Sequence, residues 1–217
     1  MKLRLSVPEK ILFLSISFTL LLLAVRTFYS HTNDYRFYPW NLFLAVIPLY
    51  FSRKLHNCEG IGWKSILLIA CWLLFFPNAP YIITDIFHFY QRPGVPLWYD
   101  LLLVFSASWN GLLITFMSLV QVDKFIGRHT TKKWSVAIIG LLLFTTSNGI
   151  YLGRFLRFNS WDVVTKPGSL VQLAFSYTSM PFHHLQAWAF CIICTALLLL
   201  IYYSIKNLPV LMANSKK

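Results

Sequence analysis

Acidic residues are scarce in this chain: seven Asp and Glu stand against nineteen Lys and Arg in 217 residues. Charged residues make up 12% of the sequence, where a soluble domain carries roughly 25%. That shortage excludes an ordinary water-soluble globule. The cysteines are too few and too badly placed for a disulfide framework. Cys58 lies in a connection read as internal, and Cys71, Cys191 and Cys194 lie in apolar runs. Cys191 and Cys194 match C-x-x-C, but mid-helix in oily surroundings with no activating cation, so redox chemistry is not expected. No G-x-S-x-G, Walker A, dinucleotide fingerprint or H-E-x-x-H occurs in a fitting context, which removes the sequence signatures of several large enzyme classes. No repeat and no low-complexity linker is visible, so residues 1–217 read as one domain.

Long oily runs fill the space that charge leaves. The chain is 57% hydrophobic with mean hydropathy +0.61, and the runs read as about six membrane spans. Lys2, Arg4 and Lys10 precede the first, residues 11–25. No small-x-small cleavage site follows it, so it reads as a span ending at Arg26-Thr27-Phe28-Tyr29 rather than a leader. Residues 37–51 carry aromatics at both ends, an interfacial belt, and form the shortest span. The third runs from 65 to 84. Asp100 opens the fourth, 101–122, where a carboxylate suits the helix N-terminus. The fifth covers 134–152, ending in Tyr151, Arg154 and Arg157. A long connection, 158–182, contains a segment from Leu170 to Phe175 apolar enough to lie on the membrane surface. Pro181 starts the last span, completed by the apolar run 185–205.

The net charge of +12 resembles a nucleic-acid signal, but the cations sit between spans, as membrane topology requires, and no nucleic acid is expected. Six spans place thirteen basic residues, including Arg53, Lys54, Lys124, Arg128, Lys216 and Lys217, on the side of both termini. Arg26, Arg36, Arg92, Arg154, Arg157 and Lys166 fall on the other. Positive-inside then puts both termini in the cytoplasm. The fold class expected is an all-α integral membrane bundle of about six transmembrane helices, its third helix broken at Pro77 and Pro80.

That break is the most informative stretch. Each proline lacks an N–H and frees the carbonyl four residues back, Leu73 and Phe76. In lipid such groups need partners, so a break faces protein or a wet cavity. Asn78 is placed to cap a helix restarting at Ala79. A packing kink explains this as simply as a pocket does. Helix rise puts Asn78 about 10 Å below Asp85, Asn110 about 15 Å below Asp100, and Asn148 about 9 Å below Arg154. Unpaired amides in hydrocarbon are costly, so the three asparagines are expected to line one polar recess open to the outside. The candidate binding residues are Asn78, Tyr81, Asp85, His88, Asp100, Asn110, Asn148, Tyr151, Arg154 and Arg157. Salt bridges joining Asp85, Asp100 and Asp162 to the arginines are the plain reading of the rim; an anion site on Arg154 and Arg157 is the sharper one. His183 and His184 invite a metal reading, but adjacent helical residues point about 100° apart, so no metal and no cofactor is expected.

Residues 75–85 (FFPNAPYIITD), 98–100 (WYD) and 148–154 (NGIYLGR) resemble the uncharacterised bacterial multi-pass membrane proteins grouped as domain of unknown function 1361. The likeness runs from the second span to the sixth. It implies a small bacterial inner-membrane protein and no particular activity. Three functions stay open: an outward-facing pocket binding a lipid headgroup, small anion or envelope protein partner; a transporter or channel for a small solute; and an outer-leaflet enzyme with Asp85 or His88 as acid–base and Arg154 holding an anionic substrate.

Overall fold

The computed structural model describes residues 6–214; the basic residues Lys2, Arg4, Lys216 and Lys217, used above for topology, lie outside them. Every regular element among the described residues is helical. The chain is therefore an all-α protein. Five helical stretches are long and apolar enough to cross a membrane: Val7–Ser30, Trp63–His88, Leu97–His129, Lys132–Leu156 and Phe182–Pro209. The expected second span forms as a 19-residue helix, α2 (Tyr38–His56), but is not among the five. It runs five residues past the expected end, taking in Arg53 and Lys54.

The chain divides into two compact units, Met1–Phe125 and Ile126–Lys217. Unit one holds α1 (Val7–Ser30), α2, α3 (Trp63–Phe75), α4 (Asn78–Tyr81), a 3-10 helix (Ile82–His88) and most of α5 (Leu97–His129). Pro8 near the start of α1 loses no useful donor there, and Glu9 accepts the Ser6 N–H at 2.6 Å. His31 ends α1 in the left-handed region, φ 52°.

Side-chain pairs give the direction of packing in unit one. Thr19 bonds Ser106 at 3.0 Å, the Tyr99 hydroxyl donates to the Leu22 carbonyl at 2.9 Å, and Arg26 meets Asp100. α1 and α5 are therefore antiparallel. Trp72 Nε1 donates to Ser118 Oγ at 2.7 Å, while Ala79 lies against Gly111, so the third span also runs antiparallel to α5. Ala45, Ala79 and Ala107 are fully buried in this core. Without a hydrophobic force between helices in lipid, small residues and interhelical hydrogen bonds supply the attraction.

The proline break forms, with a correction to the role of Asn78. Asn78 is the first residue of α4 rather than its cap. Its Nδ2 donates back to the Phe75 carbonyl at 2.8 Å. That carbonyl needs a donor because the Ala79 N–H bonds Phe76 instead, at 3.1 Å. The side chain thus repairs the gap that the local tightening opens.

Unit two holds α6 (Lys132–Leu156), α7 (Asp162–Thr165), α8 (Pro167–Ser179), a short 3-10 turn (Pro181–His184) and α9 (Leu185–Asn214). α6 and α9 pack together through Thr195 donating to Ser147 at 3.0 Å and Phe144 stacked on Trp188 at 6.2 Å. Asp162 turns inward rather than pairing with an arginine. It accepts the Asn159 N–H at 2.7 Å and the Thr165 hydroxyl at 3.0 Å, with Lys166 at 3.6 Å. The Asn159 N–H, then Thr165 and Lys166, outweigh burial and hold its carboxyl below the usual range. A depressed carboxylate contributes stability above its unfolded pKa and loses it on acidification. Amide protection across 159–166, taken relative to the intrinsic exchange rate at each pH, is expected to fall as pH drops below about 4, where a free aspartate titrates. Asp162→Ala is expected to show low protection there at every pH, with no further acid-dependent drop; a wild-type acid profile in that variant would refute the assignment.

Candidate functional site

Four charges meet at the end of unit one where α1 finishes and α5 begins. Arg26 lies four residues before the end of α1 and Asp100 in the first turn of α5. Their side chains are 0% and 2% exposed. Arg26 Nε donates to Asp100 Oδ1 at 2.6 Å and Nη2 to Oδ2 at 3.1 Å, a bidentate fork. Arg26 also donates to Thr32 Oγ1 at 3.0 Å and to Asp34 Oδ2 at 3.3 Å. Arg92, from the segment between the 3-10 helix and α5, adds contacts to Asp100 at 3.4 Å and Asp34 at 3.5 Å. Two guanidinium groups thus balance two carboxylates. Asp34, with its side chain 34% exposed, is the member that reaches solvent.

Tyr35 is the hub of this cluster. It is buried, yet its φ is 61°. A bulky residue in the left-handed region is an outlier held there by its surroundings. Both guanidinium groups lie against its ring, Arg92 at 4.3 Å and Arg26 at 4.9 Å from the centroid. Its hydroxyl accepts from Arg92 Nη1 and donates to the His88 carbonyl at 3.2 Å. Arg92 Nη2 donates to the same carbonyl at 3.0 Å. Burial first, and Asp100 second, push the Tyr35 phenol up, so it keeps the proton it donates. The α1–α2 turn, the end of the 3-10 helix and the start of α5 are tied together at one point.

The expected site residues of unit one fall in three places. Asp100 belongs to the cluster, with Arg26 and Arg92 as partners; antiparallel packing sets Arg26 beside it. His88 gives its carbonyl to the cluster while its exposed ring lies 5.3 Å from that of Phe37. Asp85 is buried within the same 3-10 helix. Half-buried Tyr81 accepts the Thr84 hydroxyl on its carbonyl at 2.6 Å. Asn78 mends the helix break. Asn110 is fully buried between α1 and α5, its Nδ2 donating to Thr19 Oγ1 at 2.7 Å, the Ser106 carbonyl at 3.0 Å and the Ser15 carbonyl at 3.2 Å. Its Nδ2 makes an interhelical clamp, the donor's partners coming from a neighbouring helix as well as its own, while Oδ1 is buried without a hydrogen bond.

The other candidates belong to unit two. Asn148 donates to the Phe144 carbonyl at 2.8 Å, Tyr151 packs between Phe155 and Phe190, and Arg154 is half-buried. Arg157 ends α6 in the left-handed region, φ 58°. His184 Nε2 is 2.8 Å from Ser176 Oγ, and His183 is exposed. Among the described residues, no three His, Cys, Asp or Glu side chains converge as metal ligands.

Arg26, Asp34, Tyr35 and Arg92 are the residues that pattern reading passed over. For Arg26 a signal was present: an arginine inside the last turns of one span, with an aspartate at the matching end of another.

Residues 40–201 match the family described as Protein of unknown function (DUF1361). No curated protein and no solved structure matches the chain.

Proposed function

The chain belongs to the DUF1361 family, and from that premise we propose that it is a multi-pass protein of a bacterial plasma membrane whose outer end binds a phospholipid headgroup. Tyr35 carries this reading: a strained, buried residue clamped between two arginines is the kind of outlier that collects at ligand clamps. Beside it, Asp34 offers a half-exposed carboxylate for an ammonium group and Arg92 a guanidinium for a phosphate. With two charges of each sign, the rim suits a headgroup bearing both signs better than a bare anion. Around this end Phe28, Tyr29, Phe87, Tyr90 and Trp98 are exposed, an aromatic belt that sets the cluster at headgroup level.

Within unit one this end carries Arg26, Arg36 and Arg92, while the opposite end carries Lys10, Arg53, Lys54, Lys64 and Lys124. That supports an outward rim and cytoplasmic termini. The proline break favours binding over transport, because Ala79 packs directly on the α5 backbone at Gly111 and leaves no room there for a solute path.

The test is mass spectrometry of lipids that co-purify with the protein extracted in native membrane. The wild-type chain is expected to retain one phospholipid class above its membrane abundance. Asp34→Asn, which keeps the side-chain shape, is expected to lower that enrichment several-fold without lowering yield. Retained lipid that mirrors the bulk membrane in both proteins would refute the proposal.

A further inference from the structure

The connection between the spans Lys132–Leu156 and Phe182–Pro209 is helical for most of its length. Its main element, α8, reads PGSLVQLAFSYTS and contains no charged residue in 13 positions. At about 100° per residue, its side chains sort into three arcs. Leu170, Leu173 and Tyr177 share an arc about 60° wide and are half-buried against the rest of unit two. Burial there pushes the Tyr177 phenol up to about 12, with Tyr151 and Cys191 adding to it. Val171 and Phe175 occupy a second arc and are 69% and 71% exposed. Ser169, Gln172 and Ser179 form a third, also exposed.

One side is thus protein-facing, one polar, and one bare hydrocarbon. At about 20 Å the helix is too short to span a core of about 30 Å, and its polar arc does not suit lipid on all sides. The bare strip continues into a surface that the bilayer already covers. Phe182, three residues beyond the end of α8, is 83% exposed and Leu185 is 61% exposed, and both open the last span. Ser176 Oγ at 2.8 Å from His184 Nε2, and the Tyr177 and His184 rings 4.4 Å apart, fasten α8 to that point.

We propose that α8 is an interfacial helix lying in the plane of the bilayer surface, with Val171 and Phe175 sunk into the acyl boundary and Ser169 and Gln172 turned to water. The partner is the lipid surface itself, and the attachment is hydrophobic because α8 offers no cation to anionic headgroups. The inference depends on the chain being a membrane protein and not on the headgroup site at Tyr35.

Full-length protein in phosphatidylcholine nanodiscs, open to reagent on both faces, provides the test. Ser169→Cys, Gln172→Cys, Val171→Cys and Phe175→Cys are each treated with a membrane-impermeant maleimide, and the unsubstituted chain sets the background of its four native thiols. The thiols at 169 and 172 are expected to react at least about tenfold faster than those at 171 and 175, because the reactive thiolate forms in water and not in acyl chains. Adding phosphatidylglycerol is expected to leave that ratio unchanged. Equal rates at all four positions would overturn the proposal, and a ratio that appears only with anionic lipid would overturn its hydrophobic character.

Discussion

Arg26→Ala is expected to destabilise the protein by about 3–5 kcal/mol, the range for removing one partner of a buried ion pair. The loss comes less from the bond itself than from what stays behind. Asp100 keeps a carboxylate with its side chain 2% exposed, and its fork partner is gone. Arg92, at 3.4 Å, reaches only one of its oxygens. Thr32 and Asp34 lose donors at the same moment, and Tyr35 loses one of the two cations that press on its ring.

A cycle separates these effects. Asp100→Leu alone leaves the buried Arg26 with Asp34, at 3.3 Å, as its charged partner and is expected to be harmful as well. Arg26→Met combined with Asp100→Leu removes both charges, and buried pairs replaced by well-packed apolar residues are often neutral. The double variant is therefore expected to recover most of the loss, read as thermal unfolding in nanodiscs. An Arg26→Ala protein within about 0.5 kcal/mol of wild type, the range of an ordinary surface change, would show that the cluster is not holding α1 to α5.

Hydropathy made the fold class readable, since long apolar runs with few charges have one physical solution in lipid. Pro77, Asn78 and Pro80 marked the broken helix for an equally direct reason: proline removes a donor wherever it sits. Partnership was harder to read. Arg26 and Asp100 are 74 residues apart, and nothing periodic links them; only the antiparallel packing of α1 on α5 brings them level. Asn110 shows the same gap. Its Nδ2 finds acceptors on Thr19 and Ser15 of α1, and no spacing rule says which helix will be the neighbour. The turn around Tyr35 was silent because a tyrosine at positive φ has no sequence signature; glycine or asparagine would have announced the bend. α2 read as a short span because its basic residues were taken as a boundary, whereas the helix continues through them.

Gly111→Ala is expected to cost about 1–3 kcal/mol, and Gly111→Val more, as overpacking in a tight core does. A Cβ at Gly111 would lie 2.5 Å from the Ala79 carbonyl oxygen and 3.2 Å from Ile82 Cβ. The first obstacle is backbone, in a segment whose path Pro77 and Pro80 restrict, so a rotamer change cannot relieve it. Ala79→Gly is not expected to rescue the variant, because the clashing atom remains. Gly140→Ala is the control: it lies in α6 with nothing within 4 Å of the added atom and is expected to be neutral or to gain up to about 1 kcal/mol from helix propensity. Equal melting temperatures for Gly111→Ala and Gly140→Ala would refute the close approach. Gly111 lies eleven residues from Asp100 along α5, about 16 Å, which is beyond the distance at which substitutions usually couple. Combining Gly111→Ala with Arg26→Ala is therefore expected to sum to within about 0.5 kcal/mol. A marked excess would mean that the broken helix and the charge cluster fix α5 as one cooperative unit, through the 3-10 helix whose His88 carbonyl joins them.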